Sequence, residues 1–257
     1  MARSLSVIIT TYNEAGNIAR CLESILDIAS DILVVDSFST DQTVEIARRY
    51  PVRILERKYL GPADQKNWAI PQAKHQWILL LDADELATPE LCAEIKALLA
   101  ADQAPAADAY WIGRNNYFLG QPIRYSGWQG DQVIRFFHRD QARYNELQVH
   151  EEIVTEGIEV ATLSGRLDHY TFRSLDHYLD KTRRYARWSA QDHSRRTTRV
   201  GYFHLLGKPL FRFFKHYLIQ QGFRDGKVGL MVSAIMAWGV FLRYAFLLEQ
   251  QRGGIKK

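Results

Sequence analysis

The sequence predicts an α/β fold: a mostly parallel sheet flanked by helices, with a helical C-terminal extension. Short apolar runs alternate with amphipathic ones over about the first hundred residues. That alternation is the mark of strand–helix–strand units and of a sheet covered on both faces. Acidic and hydroxyl residues cluster where the apolar runs end. The charge also splits: residues 1–172 carry 16 Lys/Arg and 24 Asp/Glu, residues 173–257 carry 17 and 5, so a net −8 precedes a net +12.

In order, Leu5 to Thr11 reads as a strand and Ala15 to Ile28 as a helix, with Ile18, Cys21, Leu22, Ile25 and Leu26 at helical spacing. Ile32 to Asp36 is the second strand. Ser37 to Asp41 offers N-caps for a helix from Thr43 to Tyr50. Val52 to Leu55 is a third strand and Gln65 to Ala73 a helix. Trp77 to Asp82 is a continuous apolar strand ending in a carboxylate. Thr88 and Pro89 open a helix running to about Ala100, with Pro in the first turn. Ala101 to Asp108 reads as a linker. Shorter alternating segments follow at Tyr110–Asn116, Gln132–His138, Glu152–Val154 and Val160–Leu163, and the chain turns helical from Ser174. This divides it into a domain over 1–172 and an extension over 173–257.

The two cysteines, Cys21 and Cys92, lack metal-type spacing and read as structural thiols of a reduced compartment. Met1 to Leu5 has no signal-peptide layout. Neither GxGxxG nor GxxxxGK[ST] occurs, which argues against a dinucleotide dehydrogenase or a P-loop enzyme.

The sharpest signal is Asp82-Ala83-Asp84 after Trp77-Ile78-Leu79-Leu80-Leu81. An unpaired carboxylate is costly beside a buried strand. A divalent cation, shared with a phosphate-bearing substrate, answers that cost; a solvated acidic turn is the plain alternative. Ligands of doubly wound sheets bind beyond the carboxyl ends of the strands. There the sequence places Thr10-Thr11-Tyr12-Asn13-Glu14, then Asp36-Ser37, then Gln65-Lys66-Asn67, then the acidic triplet. This inventory suits a nucleotide diphosphate. Tyr12 packs on a base, Asp36 accepts from a pyrimidine N–H, Lys66 adds positive charge, and Asp84 holds metal against the diphosphate. Thr10, Glu14 and Asp82 complete the nucleotide-side candidates.

Ile8-Ile9-Thr10-Thr11-Tyr12-Asn13-Glu14, Val34-Val35-Asp36-Ser37 with Thr40-Asp41, and Leu81-Asp82-Ala83-Asp84-Glu85 together resemble the family 2 inverting glycosyltransferases of GT-A fold, a Rossmann-like architecture. Gly127-Trp128-Gln129-Gly130-Asp131, Arg135 to Arg139 and Val149-His150-Glu151-Glu152 resemble a narrower branch, the lipopolysaccharide-core β-1,4-glucosyltransferases. The resemblance implies Asp84 as ligand of Mg2+ or Mn2+, Asp36 at the base, and Asp82 at the ribose or a metal-bound water. It implies transfer of a hexose, glucose in that branch, from a UDP-sugar to a lipid-linked saccharide.

Inversion requires a base for the attacking hydroxyl. Asp131 is the first candidate, although this chain has Gly130-Asp131 where the family carries two adjacent acids. Glu151 is the reserve, beside His150. Trp128 is a sugar platform or core. Arg135 and His150 are phosphate or acceptor candidates. Each has a plainer alternative: a turn cap for Asp131, a strand-face charge for Arg135, a satisfied polar residue for His150.

Residues 174–227 interleave aromatics and cations, Arg195 and Arg196 among them, as interfacial helices do. Val228 to Leu248 is 21 residues long with one charge, Arg243. It is long enough to span a bilayer, yet Arg243, two glycines and basic flanks favour a helix lying in the interface. A packed helix hairpin or dimer interface competes. The expected setting is the cytoplasmic face of the cell membrane, held peripherally by anionic lipid. Two rival functions stand beside the first: transfer to a polyprenyl phosphate, and a nucleic-acid-binding module using the basic tail. The second is disfavoured because no groove-reading motif occurs.

Overall fold

A computed structural model describes residues 3–145, 152–172, 174–194 and 197–253. The first strands and helices are β1 (Leu5–Thr11), α1 (Ile18–Ile25), β2 (Asp31–Asp36), α2 (Thr43–Ala47), β3 (Arg53–Glu56), α3 (Pro62–Ala69), β4 (Trp77–Asp82), β5 (Glu85–Ala87) and α4 (Pro89–Ala100). Then come β6 (Ala109–Phe118), β7 (Gln121–Ile123), β8 (Gln132–His138) and β9 (Val160–Phe172). The helices α5 (Leu175–Ser194), α6 (Lys208–Phe214) and α7 (Gly226–Gln251) end the described chain.

The strands form one sheet in the order β3-β2-β1-β4-β8-β6-β9-β5, with β7 paired to β6. β3, β2, β1 and β4 are parallel neighbours, and β8 runs antiparallel to β4 and β6. The predicted α/β sheet is therefore observed, parallel over β3-β2-β1-β4. By compactness the chain falls into two units: Met1–Asn115 with Asp131–His169, and Asn116–Gly130 with Tyr170–Lys257.

Pleating explains the first unit's core. Successive side chains of a strand point to opposite faces, and both faces here are apolar. Leu5, Val7 and Ile9, with Ile32, Val34, Leu79 and Leu81, face one cluster, covered by Ile18, Leu22 and Ile25 of α1 and by Leu91, Ile95 and Leu99 of α4. Ile8, Leu33, Val35, Ile78 and Leu80 face the other, covered by Ala63, Ala69 and Ile70 around the end of α3. The strands thus read as near-continuous hydrophobic runs because neither face meets water. Gly165 of β9 is required by packing: a Cβ there would lie 2.3 Å from Cα of Leu91 at the start of α4.

Several boundaries move from their predicted places. α1 begins at Ile18 rather than Ala15: Asn17, at φ −121°, is its non-helical N-cap, and its side-chain amide donates to Glu14. α3 starts at Pro62 and passes into a 3₁₀ turn at Ile70–Gln72, where Pro71 supplies no N–H. β9 continues nine residues past Leu163 to Phe172. The predicted strand Glu152–Val154 is only a single bridge, Ile153 to Tyr144. The three-residue strands β5 and β7 are too short to show any periodicity.

The second unit has its own core: Phe118, Ile123, Tyr178, Val232 and Ile235, then Ala190, Val240, Tyr244 and Leu247. α7 packs on α5 and α6. Its Gly229 lets the carbonyl of Gly222 approach to within 1.9 Å of where a Cβ would stand. Among the described residues, Gly222–Gln251 is the one helical stretch long and apolar enough to cross a membrane.

Candidate active site

The carboxyl ends of β1, β2 and β4 meet along one edge, and two loops there are laced together. Asp36, fully buried, accepts the amide N–H of Ser39 at 2.7 Å and its hydroxyl at 2.5 Å. Ser39 Oγ in turn accepts the amide of Asn13 at 2.8 Å, and Asn13 Oδ1 accepts the amide of Thr40 at 2.8 Å. Thr43 Oγ1 accepts the amide of Glu14 at 2.7 Å. Asn13 sits at φ 53°, a left-handed conformation that Asn tolerates better than most residues. The lacing leaves Tyr12 56% exposed at the end of β1, with a ring open to stacking. Asp36 and Glu14 are knitted into this frame. Glu14 accepts from the Asn17 amide.

The acidic triplet follows β4, and its two aspartates have different surroundings. Asp82 Oδ1 accepts from the Thr10 hydroxyl at 2.7 Å, while Oδ2 accepts from Arg135 Nη2 and faces Lys66 Nζ at 3.5 Å. Burial pushes the Asp82 carboxyl up, but the Arg135 and Lys66 charges outweigh it and hold it far below the usual carboxylate range. Asp84 instead points Oδ2 toward His169 Nε2 at 3.6 Å, with its side chain 18% exposed. The β5–β9 register explains the meeting, since Glu85 pairs directly with His169.

Behind them runs a chain of alternating charge. Glu85, fully buried, accepts from Arg135 Nε at 3.0 Å and Nη2 at 2.9 Å, and from Arg114 Nη1 at 3.1 Å. Arg135 Nη1 also donates to the Tyr144 hydroxyl at 3.2 Å. Arg114 then grips Asp131 with two parallel bonds, Nε to Oδ2 at 2.9 Å and Nη2 to Oδ1 at 2.8 Å. Burial lowers the pKa of both arginines, but the facing carboxylates raise each above its ordinary value. Such bidentate pairs fix orientation as well as charge.

The structure thus brings Thr10, Lys66, Asp82, Asp84, Asp131 and Arg135 into one connected group. Arg135, a phosphate candidate by sequence, is only 3% exposed and directs its guanidinium at Asp82, Glu85 and Tyr144. Lys66 is likewise buried, facing Asp82 and lying 5.3 Å from the Tyr144 ring centroid. Trp128 belongs to the second unit, half-buried against its core and edge-on to Tyr178 at 6.4 Å. His150 and Glu151 lie outside the described residues. Sequence reasoning missed His169, Arg114 and Tyr144. In isolation they read as ordinary strand and loop polar residues, and only the pairing register brings His169 to Asp84.

A divalent cation fits Asp84 and His169. A carboxylate oxygen with an imidazole nitrogen suits Mn2+, and sites of this kind complete their shell with substrate phosphate. Among the described residues no group of three or more His, Cys, Asp or Glu could hold a metal.

Residues 6–161 match the profile of Glycosyl transferase family 2. An uncharacterized glycosyltransferase of Rickettsia felis is 30% identical over 258 residues, covering 95% of this chain and 89% of that one. The lipopolysaccharide core biosynthesis glycosyltransferase LpsC of Rhizobium meliloti is 28% identical over 252 residues, covering 96% and 92%. The solved structure of S. aureus TarS residues 1–349 superposes with a TM-score of 0.49 at 16% identity, over 97% of this chain and 92% of that one.

Proposed function

The chain belongs to glycosyl transferase family 2, and from that premise we propose an inverting, metal-dependent hexosyltransferase. It takes a hexose, glucose in this reading, from a UDP-sugar and adds it to a lipid-linked saccharide of the lipopolysaccharide core. One observation carries the reading: Asp82 is neutralised within the protein, whereas Asp84 meets His169 at the same strand end. The two neighbouring aspartates thus differ in partner, cations for Asp82 and an imidazole for Asp84. The similarity to LpsC supports the acceptor class.

In this scheme Tyr12 stacks on the base, and Asp36 accepts from its ring N–H with the lone pairs that Ser39 leaves. Asp82 orients the ribose, and Thr10, Glu14 and Lys66 shape the nucleotide side. Asp84 and His169 would hold Mg2+ or Mn2+, which would supply Lewis-acid relief for the leaving diphosphate. Asp131 takes the proton from the acceptor hydroxyl. That oxygen attacks the anomeric carbon from the face opposite the diphosphate, and the carbon–oxygen bond to the diphosphate breaks with its electron pair. Arg114 keeps Asp131 aimed through its two parallel bonds. Trp128, His150 and Glu151 remain acceptor-side candidates. The enzyme works at the cytoplasmic face of the membrane, where its acceptor is anchored.

The test is a thermal-shift series with UDP-sugars, with and without Mn2+, followed by turnover of Asp84→Asn and Asp131→Asn. A bound donor raises the melting temperature by mass action, so the expected result is a shift with one UDP-sugar that needs the metal. Asp84→Asn should lose that shift and at least about 100-fold in kcat, a loss of several kcal/mol in transition-state stabilisation. If Asp84→Asn keeps both, the reading fails. If Asp131→Asn turns over normally, the acceptor is a phosphate such as a polyprenyl phosphate, which needs no base.

A further inference from the structure

The segment Tyr202–Phe223 carries a surface that the transfer reaction does not use. It is built on a period of four residues. Tyr202, Leu206, Leu210, Phe214 and Leu218 form one column, each at least 50% exposed. Phe203, Phe211 and Ile219 form a second beside it, each at least 65% exposed, with Lys215 in the same column. The columns that alternate with these turn inward. Lys208 donates to the Tyr244 hydroxyl at 2.7 Å, Arg212 meets His216 at 3.2 Å, and His216 Nδ1 lies 2.6 Å from the Ser126 carbonyl.

A plain α-helix would not hold these columns straight. At 3.6 residues per turn, a four-residue repeat drifts by about 40° each time, so Tyr202 and Leu218 would end about 160° apart. Here α6 is flanked by π-helical turns at Phe203–Gly207 and Lys215–Ile219. Their wider turns wind the columns back the other way. π turns are rare and concentrate at functional sites. In this segment they gather the large apolar side chains onto one exposed face. Exposed apolar patches of this kind mark interaction sites.

Charge identifies the partner. Between Asp192 and Asp225 the chain runs 32 residues without a single Asp or Glu, while carrying seven Lys/Arg. Arg224 and Lys227 stand exposed where the segment ends. A second copy of the chain would bring like charge against like charge across the face. An anionic bilayer satisfies both features: apolar side chains enter the boundary between headgroups and acyl chains, and cations meet the headgroup phosphates. We propose that the exposed Tyr202–Phe223 face is the surface by which this protein docks on anionic phospholipid. The inference deepens the lipid-linked-acceptor reading and rests on it for its purpose.

The experiment is co-sedimentation of the full chain with phosphatidylglycerol-containing vesicles and with pure phosphatidylcholine vesicles. The full chain should pellet with the first at least tenfold more than with the second, and should be released by high salt. The triple variant Leu210→Ser/Phe211→Ser/Phe214→Ser should lose at least tenfold in anionic-vesicle binding while keeping its melting temperature and its transfer to a delipidated saccharide. Asp84→Asn should bind vesicles as the unaltered chain does, so loss of transfer and loss of docking are read separately. Equal binding to phosphatidylcholine overturns the proposal, as does a triple variant that pellets undiminished. A dimer that this variant dissolves, with no vesicle binding by the unaltered chain, overturns it too.

Discussion

The strand-end cluster of the first unit and the Tyr202–Phe223 segment of the second are both rich in arginine, lysine and aromatic rings, yet they handle charge in opposite ways. In the cluster every cation has a carboxylate opposite it. Arg135 faces Asp82 and Glu85, Arg114 faces Glu85 and Asp131, and Lys66 faces Asp82. In the segment no carboxylate is present at all, and the apolar side chains stay in water. A buried cation with its carboxylates is finished business for the fold. A run of cations without acids keeps its net positive charge. The basic composition that sequence sees is the same in both places, and only the location of the acids separates a counterion from a docking contact.

The comparison breaks most sharply at Arg135. Arg135→Met removes the cation and leaves Glu85, fully buried, with Arg114 and the Asp82 amide, and leaves Asp82 with Lys66 and the Thr10 hydroxyl. Uncompensated buried charge of this kind costs about 3–5 kcal/mol. Urea unfolding should register that loss, and Arg135→Met/Glu85→Gln should recover part of it by removing one stranded carboxylate. Lys215→Met in the second region, where no acid waits across from it, should change stability by no more than about 0.5 kcal/mol. Equal losses at the two positions would erase the distinction.

A second buried pair of the first unit tests the same rule through pH. Burial pushes the Asp31 carboxyl up, but the paired bonds from Arg53 at 2.8 Å, the Lys74 amide and the Ser6 hydroxyl bring it down to about 2. The unfolded value is about 3.9. A carboxyl depressed by folding stabilises the native state above its unfolded pKa, and that contribution fades as pH falls from about 4 through about 2. Asp31→Asn should therefore cost about 1–2 kcal/mol at neutral pH, allowing for the partly exposed Arg53. The gap between the two proteins in denaturant midpoint should close in acid. A gap that stays constant down to pH of about 2 would deny the pair its electrostatic origin.

How far the site was legible follows from sequence separation. The strands, the two loops and the acidic triplet were readable because each is local: Trp77 to Leu81 is a buried run whatever surrounds it. The pairing was not. Arg135 reaches Asp82 across 53 residues and Glu85 across 50, and Arg114 reaches Asp131 across 17. The carboxylate cost at the end of β4 pointed to a metal for the whole triplet. In the structure Arg135 and Lys66 meet that cost at Asp82, and only Asp84 is turned toward His169. His169 depended on a β5–β9 register that a three-residue strand cannot announce. In the extension, the four-residue repeat stood in the sequence from the start. It went unread because neither helix nor strand periodicity matches it, and only the π turns give it a face.

That repeat yields the smallest effect and the cleanest contrast. Phe211→Ser removes a ring that is 65% exposed, so the folded state loses little packing and the change in stability should stay within about 0.5 kcal/mol. Phe136→Ala in β8 removes a fully buried ring stacked on Trp77 at 5.0 Å, and should cost about 3–5 kcal/mol. Thermal denaturation of the two variants side by side measures whether the segment's aromatic rings belong to the fold. If Phe211→Ser unfolds several degrees early, those rings pack against the protein itself and the exposed face is a core seam. If it melts with the unaltered chain, an aromatic residue of no value to folding holds its place among seven cations and no acids, and its stabilising contact is with something other than the rest of this chain.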